Sequence, residues 1–341
     1  MDQFNVYKDM KARTNGEIYI GVVGPVRTGK STFIKRFMNL MVLPNIEDEN
    51  DRNRANDELP QSSSGKTIMT TEPKFVPNEA VSIKTEEGIE LNVRLIDCVG
   101  YMVEGATGHM EGEEERLVKT PWFDYEIPFT KAAAIGTKKV ITEHSTIGVV
   151  VTCDGSFGEI AAKQYEPAEE ETIKQLKALK KPFVVLLNTI HPYSESTKQL
   201  AAEKEEKYQT KVLPMNLEQM KKEDIYEIIK SVLMEFPISS IGFYVPRWTE
   251  MLKKDHPLKM ELLQMARDVI TEKTTMRDIY EEQEKEYEYI TGQKLESVAM
   301  DSGEVVITVK VGDVYYYEFL SETTGMEIRN EYEFIKIMGE L

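Results

Sequence analysis

The chain has 341 residues, 41% hydrophobic and 30% charged, a balance that fits a globular protein with room for two cores and excludes an intrinsically disordered one. Acidic side chains outnumber basic ones 59 to 42, a net charge of −17, so Coulomb repulsion opposes any general grip on nucleic acid or on anionic lipid. No run of about 18 apolar residues occurs, and Met1-Asp-Gln-Phe-Asn lacks a basic segment followed by an apolar one, which predicts neither signal peptide nor membrane span and a cytoplasmic location.

Residues 1 to 16 carry scattered charge and read as a short lead-in helix or a frayed end. The apolar run Ile18 to Val23 then predicts a strand, and Thr32-Phe-Ile-Lys-Arg-Phe-Met has helical apolar spacing. Between them stands Gly24-Pro25-Val26-Arg27-Thr28-Gly29-Lys30-Ser31, the pattern G-x-x-x-x-G-K-S of a phosphate-binding loop. Its glycines let the backbone curl until successive amides point at one anion, and the helix dipole adds partial positive charge there. Residues 24 to 32, Thr32 included, are therefore candidate nucleotide contacts. Lys30 reaches the β- and γ-phosphates in such loops, and the Ser31 hydroxyl ligates Mg²⁺.

After Pro44 the polar stretch Glu47 to Pro60 alternates charge and is expected to be an exposed, mobile segment. The hydroxyl-rich run Gln61 to Pro77 follows, where nucleotide switches bring a threonine to Mg²⁺ and the γ-phosphate. Thr70 and Thr71 are the candidates, Thr71 as a metal ligand, with Thr67 behind them. Ala80 to Gly88 and Ile89 to Ile96 alternate apolar and polar residues around a Glu-Gly turn and predict a hairpin. Its second strand runs into Asp97-Cys-Val-Gly100. A carboxylate at a strand end, followed by a glycine three positions on, suits an Mg²⁺-bound water and an amide that senses the γ-phosphate.

Residues 101 to 145 read as a long insertion of the kind that forms lids or partner surfaces; its aromatic cluster Trp122, Phe123 and Tyr125 is either a docking face or packing beneath it. Thr146 to Gly155 is an apolar run suited to the middle of a parallel sheet. A helix is expected over Glu166 to Lys180, with Leu176 and Leu179 facing inward, then a strand over Pro182 to Asn188. Amphipathic helices over 197–209 and 216–236 flank a short strand, Lys211 to Met215. Cys98 and Cys153 sit in or beside strand-like runs and read as reduced core thiols.

Alternating strands and helices predict an α/β fold, a P-loop NTPase domain doubly wound about a mainly parallel sheet over residues 1–240. From Ile241 the character changes to a small α+β domain over 241–341: a linker or edge strand, one long helix or two between His256 and Ile290, a β-meander from Glu296 to Leu320 carrying Tyr315, Tyr316 and Tyr317, and a closing helix from Glu331. The last helix has no terminator, which suggests that the natural chain continues.

Phosphoryl transfer asks for positioning and charge neutralisation, and Lys30, Ser31, Asp97 and a threonine from the 61–77 run supply both, which reads as an NTPase. Switch GTPases carry a water-orienting glutamine after D-x-x-G; Tyr101 stands here, so either hydrolysis is slow or another group, such as Thr70 and Thr71, orients the water. GTPases read guanine with N-K-x-D, whereas this chain has Asn188-Thr189-Ile190-His191. Histidine offers no bidentate acceptor to guanine and threonine lacks the lysine stem, so ATP is expected over GTP, with Asn188 and Thr189 among the nucleotide contacts. A regulatory GTPase and a nucleotide-bound scaffold without turnover are the alternatives. The missing N-K-x-D counts against the first, and the intact Lys30, Ser31 and Asp97 count against the second.

Taken together, G-P-V-R-T-G-K-S, T-I-M-T-T-E-P, D-C-V-G-Y and N-T-I-H-P resemble the stage IV sporulation protein A family, spore-coat morphogenetic ATPases of endospore-forming bacteria. The resemblance implies a GTPase-like (TRAFAC) fold turned to ATP, and ATP hydrolysis with Mg²⁺ that drives self-assembly into a basal layer on the outer forespore membrane in the mother-cell cytoplasm. It implies Lys30 for ATP binding, Asp97 as the second acidic motif, and Thr70 and Thr71 as the γ-phosphate-sensing pair. It further implies a C-terminal region, absent here, that contacts a small amphipathic membrane-anchor peptide and other coat proteins, so that membrane association comes through a partner and no nucleic acid is bound.

Overall fold

The computed structural model describes residues 5–60, 72–84, 89–106, 109–111, 114–157, 160–280 and 285–340. Two compact units divide the chain, Met1–Phe236 and Pro237–Leu341.

In the first unit the lead-in is a helix, α1 (Val6–Arg13), capped by the Asn5 side chain, which accepts from Lys8 N at 2.9 Å. It lies against the helix α7 (Lys222–Met234) through an edge-to-face pair, Tyr7 and Tyr226, with ring centroids 6.0 Å apart. The sheet takes in β1 (Glu17–Val23), β2 (Lys74–Lys84), β3 (Glu90–Asp97), β8 (Ile147–Cys153), β9 (Phe183–Asn188) and β10 (Val212–Met215), in the order β10-β9-β8-β1-β3-β2. Every neighbouring pair is parallel except β2 with β3, which is the expected hairpin. Strands β8 and β9 are buried along their whole length, as continuous Val, Ile and Leu runs must be in a sheet covered on both faces.

This order makes the site. From β1 the chain goes to the edge strand β2, returns through β3 beside β1, then crosses to β8, β9 and β10 on the other side. The carboxyl ends of five parallel strands therefore open along one edge, with a topological switch point beside β1, where α/β sheets bind their ligands.

Several elements differ from expectation. The charged stretch after Pro44 is no loose segment: α3 (Glu49–Asp57) forms there, because Asp48 caps it by accepting from Asn50 N and Asp51 N at 2.8 and 2.9 Å, and Ala55 is buried. It is tied to β2 by Glu58, which accepts from Asn78 N at 2.7 Å, and by Arg54, 3.7 Å from Glu79. The 101–145 stretch folds into two small ribbons, β4 (Met110–Glu111) with β5 (Glu114–Glu115) and β6 (Leu117–Thr120) with β7 (Phe123–Pro128), followed by the helix α4 (Phe129–Lys139). Its aromatics lie near lysines, Trp122 with Lys139 and Phe123 with Lys131, while Tyr125 is 61% exposed.

The helix after β8, α5 (Ala162–Ala178), begins before Pro167, so the proline sits inside it, and Leu179 is its 44% exposed C-terminal cap and not an inward residue. α6 (Glu195–Tyr208) starts at Ser194, whose hydroxyl accepts from Thr197 N at 3.2 Å. Cys98 and Cys153 are buried free thiols.

The second unit has a three-stranded sheet of β11 (Ser240–Tyr244), β12 (Ile290–Ala299) and β13 (Glu304–Val311), with β13 in the middle and β11 parallel to it. Between His256 and Ile290 the one α-helix among the described residues is α8 (Pro257–Glu272), with proline in its first turn and its core face at Leu258, Leu262, Met265 and Val269. The expected third strand of the meander is instead α9 (Asp313–Thr324), and Tyr315, Tyr316 and Tyr317 ride on it. Aspartate in the first turn and Gly325 just past the end, at φ +71°, favour the helix. Trp248 packs on Phe319 at 5.5 Å and on Tyr316 at 5.6 Å. α10 (Glu331–Glu340) closes the unit.

Candidate active site

Strand β1 ends at Val23, and the loop from Gly24 leads directly into the helix α2 (Lys30–Phe37). The loop is pinned at both shoulders. On one side Pro25 forms a parallel bridge with Tyr101, and Val26 N donates to Tyr101 O at 3.0 Å, which locks the phosphate loop to the segment after β3. On the other, Asn188 Nδ2 donates to Thr28 O at 3.0 Å, while Asn188 Oδ1 accepts from Leu217 N at 3.2 Å. Within the loop the Thr28 hydroxyl donates to Pro25 O at 3.0 Å.

Gly29 and Gly100 have no substitute here. Gly29, the α2 cap, has φ +103°, and an added Cβ would stand 2.6 Å from Asn188 Nδ2. Gly100 has φ +91°, and a Cβ there would meet Gly24 O at 2.1 Å and Lys30 Nζ at 2.7 Å. Both are closer than carbon tolerates, so the loop and the D-x-x-G segment fit together only without side chains at these points.

Lys30 is buried, 5% exposed, and its ammonium donates to Pro25 O and, at 3.3 Å, to Gly24 O. Burial lowers its pKa, opposed by the nearby Cys98 and Asp97. Strand register sets Asp97 abreast of Val22, two residues before the loop's start at Gly24. Its Oδ2 accepts from Ser31 Oγ at 2.9 Å, and its Oδ1, shielded from solvent, has no hydrogen-bond partner among the described residues. Burial raises the Asp97 pKa, against the pull of the Lys30 charge and the Ser31 hydrogen bond. Sequence reasoning passed over Lys74, which pairs with Asp97 across β2 and β3 and whose charge also acts on it. A lysine directly after Glu-Pro, at the start of the strand that pairs with Asp97, was the available signal.

The donor set fits a magnesium ion. Mg²⁺ takes one or two protein oxygens and completes its shell with water and substrate phosphate. Ser31 Oγ and the unpartnered Asp97 Oδ1 are oxygens of that kind, on facing elements. No three-residue cluster of His, Cys, Asp or Glu stands elsewhere among the described residues as a rival metal site.

The base end differs. Asn188 is abreast of Cys153 on one side and of Met215 on the other, with both ends of its amide engaged as described. Thr189 is fully buried, its N–H donating to Met215 O at 3.0 Å and its hydroxyl accepting from His191 N at 3.1 Å. Both side chains make their hydrogen bonds within the protein. Ile190 and His191 are exposed, with Ile190 N donating to Ser156 Oγ at 3.1 Å. The Asn216-Leu217 turn that receives Asn188 carried no motif of its own.

Tyr101, where a glutamine stands in switch GTPases, packs against the cluster of Val26, Val103, Cys153, Ile160 and Tyr165, and its phenol lies by Gln175 of α5. Burial pushes that phenol's pKa well up. Thr67, Thr70 and Thr71 lie outside the described residues; Gly24, Pro25, Val26, Arg27, Thr28, Gly29, Lys30, Ser31, Thr32, Asp97 and Gly100 converge at the carboxyl edge of β1 and β3.

A glycine-rich loop between strand and helix, a buried lysine, and a serine joined to a strand-end aspartate, all at the switch point of a mostly parallel sheet, define a P-loop NTPase-like α/β protein. Residues 1–237 match the family model for the stage IV sporulation protein A ATPase domain and residues 238–341 match its middle domain. The chain belongs to the stage IV sporulation protein A family. It is 47% identical over 339 residues to the stage IV sporulation protein A of Clostridioides difficile (strain 630), covering 99% of this chain and 69% of that one. It is 45% identical over 343 residues to that of Bacillus anthracis and 44% identical over 342 to that of Bacillus subtilis (strain 168), covering 100% of this chain and 70% of each relative. Among the described residues no helix is long and apolar enough to cross a membrane.

Proposed function

We propose that the Met1–Phe236 unit binds ATP with Mg²⁺ and hydrolyses it, on a TRAFAC GTPase-like scaffold whose base end no longer selects guanine. The observation that carries this reading is the joined pair Ser31 and Asp97 beside buried Lys30 at the mouth of the loop. Lys30 and the loop amides hold the β- and γ-phosphates. In a buried setting a lysine charge is weakly screened, so its grip on phosphate is strong. Ser31 and Asp97 hold the ion, with Thr71 as a further ligand, and the bound metal supplies charge neutralisation of the phosphates. Thr70 and Thr71 sense the γ-phosphate and place the attacking water, a role that Tyr101, packed toward α5, does not fill. Gly100, held against the loop, presents its backbone to the γ-phosphate. Asn188 and Thr189 position the loops, and exposed His191, where guanine readers carry aspartate, leaves adenine acceptable.

The family and its sporulation role support a further proposal, that turnover drives a conformational change and self-assembly of the protein into the basal layer of the spore coat. The setting is the mother-cell cytoplasm at the outer forespore membrane. The partners are further copies of the chain and, through the region that the relatives carry beyond this match, a small amphipathic membrane-anchor peptide and other coat proteins. The high net negative charge favours no nucleic-acid partner.

The test compares ATP with GTP turnover by purified protein, then Thr70→Ala with Thr71→Ala. ATP is expected to be hydrolysed faster than GTP, and the double variant to bind ATP normally without turning it over. Faster GTP turnover would sink the base assignment, and equal turnover by double variant and parent would remove the sensor assignment. Sedimentation with ATP, ADP or a non-hydrolysable analogue tests assembly; pelleting regardless of nucleotide detaches it from hydrolysis.

A further inference from the structure

Arg27 stands apart in the phosphate loop. It is the only exposed residue between Ile18 and Ile34; every other position there is buried or partly buried. Its backbone has φ +63°, in the left-handed region that a residue with a Cβ enters at a cost of roughly 1 kcal/mol. Glycine would meet that conformation without strain, and the loop uses glycine at 24 and 29, where φ is also positive. The shoulders pinned by Tyr101 and Asn188 leave residue 27 at the crest of the loop. The strained position thus carries the second cation of the loop, and Lys30 already serves as the buried phosphate anchor.

Resting on the ATPase reading above, the geometry points to Arg27 as a catalytic residue, an arginine supplied by the loop itself to neutralise charge that develops in the transition state. In the step, the oxygen of water bonds to the γ-phosphorus as the bond from that phosphorus to the β,γ-bridging oxygen breaks. The electron pair stays on ADP and the water's proton leaves with phosphate and solvent. Negative charge grows on the bridging oxygen, next to the loop crest. A guanidinium stays protonated at any working pH and forms paired hydrogen bonds to phosphoryl oxygens. Its charge acts on the buried Tyr165 of α5, whose phenol burial raises to about 12 and Arg27 draws back. The packing of Tyr101 toward the same helix leaves the catalytic charge to be supplied from elsewhere, and the loop crest supplies it.

The experiment measures steady-state ATP turnover and separate equilibrium ATP binding for the full chain and for R27A, R27K and R27G. Glycine keeps the positive φ accessible, so R27G folds even where R27A is strained. Loss of a transition-state arginine is expected to lower kcat by at least about a hundredfold while ATP affinity stays within about threefold. Added guanidinium restores part of the turnover of R27G, and R27G fails to trap ADP with aluminium fluoride where the parent traps it. R27G with kcat within about twofold of the parent overturns the inference and leaves the ATPase reading standing, as does a loss confined to ATP affinity. A parent chain that turns over no ATP removes both.

Discussion

At the phosphate end of the sheet edge, the chain combines backbone amides and buried charge: Lys30 sits inside, Asp97 keeps one oxygen unpartnered among the described residues, and glycine permits close approach at 29 and 100. In the segment 188 to 191, where a base reader is expected, Asn188 and Thr189 are occupied internally. Asn188 bridges Thr28 O and Leu217 N, and Thr189 is buried against its own turn. One end of the site is built to grip and the other to stay in shape. On the proposed ATPase reading, a site divided this way takes its affinity from triphosphate and metal and discriminates weakly among bases.

Four substitutions sharpen or break that contrast, from the largest expected effect down. Lys30→Ala removes the buried charge and should weaken ATP binding at least about a hundredfold, as the loss of charge-assisted hydrogen bonds requires. Titration with a fluorescent ATP analogue reads it, and an affinity within threefold of the parent would take the phosphate grip away from Lys30. Gly100→Ala drives a methyl into Gly24 O and forces a positive φ on alanine, for a destabilisation of about 2–4 kcal/mol in urea unfolding. Unchanged stability would mean that the loop and the D-x-x-G segment are not locked together.

Asn188→Ala leaves two backbone groups short of a partner and should cost about 1–3 kcal/mol of stability, with ATP and GTP affinity falling together. A selective change in their ratio would move Asn188 from the frame to the base. The smallest effect belongs to His191→Asp, which restores an acceptor for guanine without the lysine stem. The ratio of GTP to ATP kcat/KM should rise about tenfold, and no rise would show that the base is read elsewhere.

Much of the site was legible in order along the chain, because a phosphate cradle is assembled from consecutive residues. Gly24 to Ser31 carries its meaning in its spacing, and Asp97 in its place at the end of a strand. Local signals misled where packing or capping outweighed composition. The charged run after Pro44 reads as loose, yet Asp48 caps a helix there and Glu58 fastens it to β2. Tyr315 to Tyr317 look like strand residues by β-propensity, but the helix starts at Asp313 and stops at Gly325. Leu179 fits an inward spacing but falls just past the last helical residue, as a 44% exposed C-terminal cap.

The amino-acid order alone determined the alternation of strands and helices, the glycine-rich loop between the first strand and its helix, and the absence of an N-K-x-D aspartate, since each depends on neighbours within a few residues. Only the tertiary structure decided that Asn188 braces the loop, that Tyr101 faces α5, and that Arg27 crowns the cradle in a left-handed turn. Those facts join residues 160 apart in sequence for Asn188 and Thr28, and no local spacing encodes them. They follow from strand order, which sets the carboxyl ends of β1, β3, β8, β9 and β10 side by side and so brings together side chains distant in sequence.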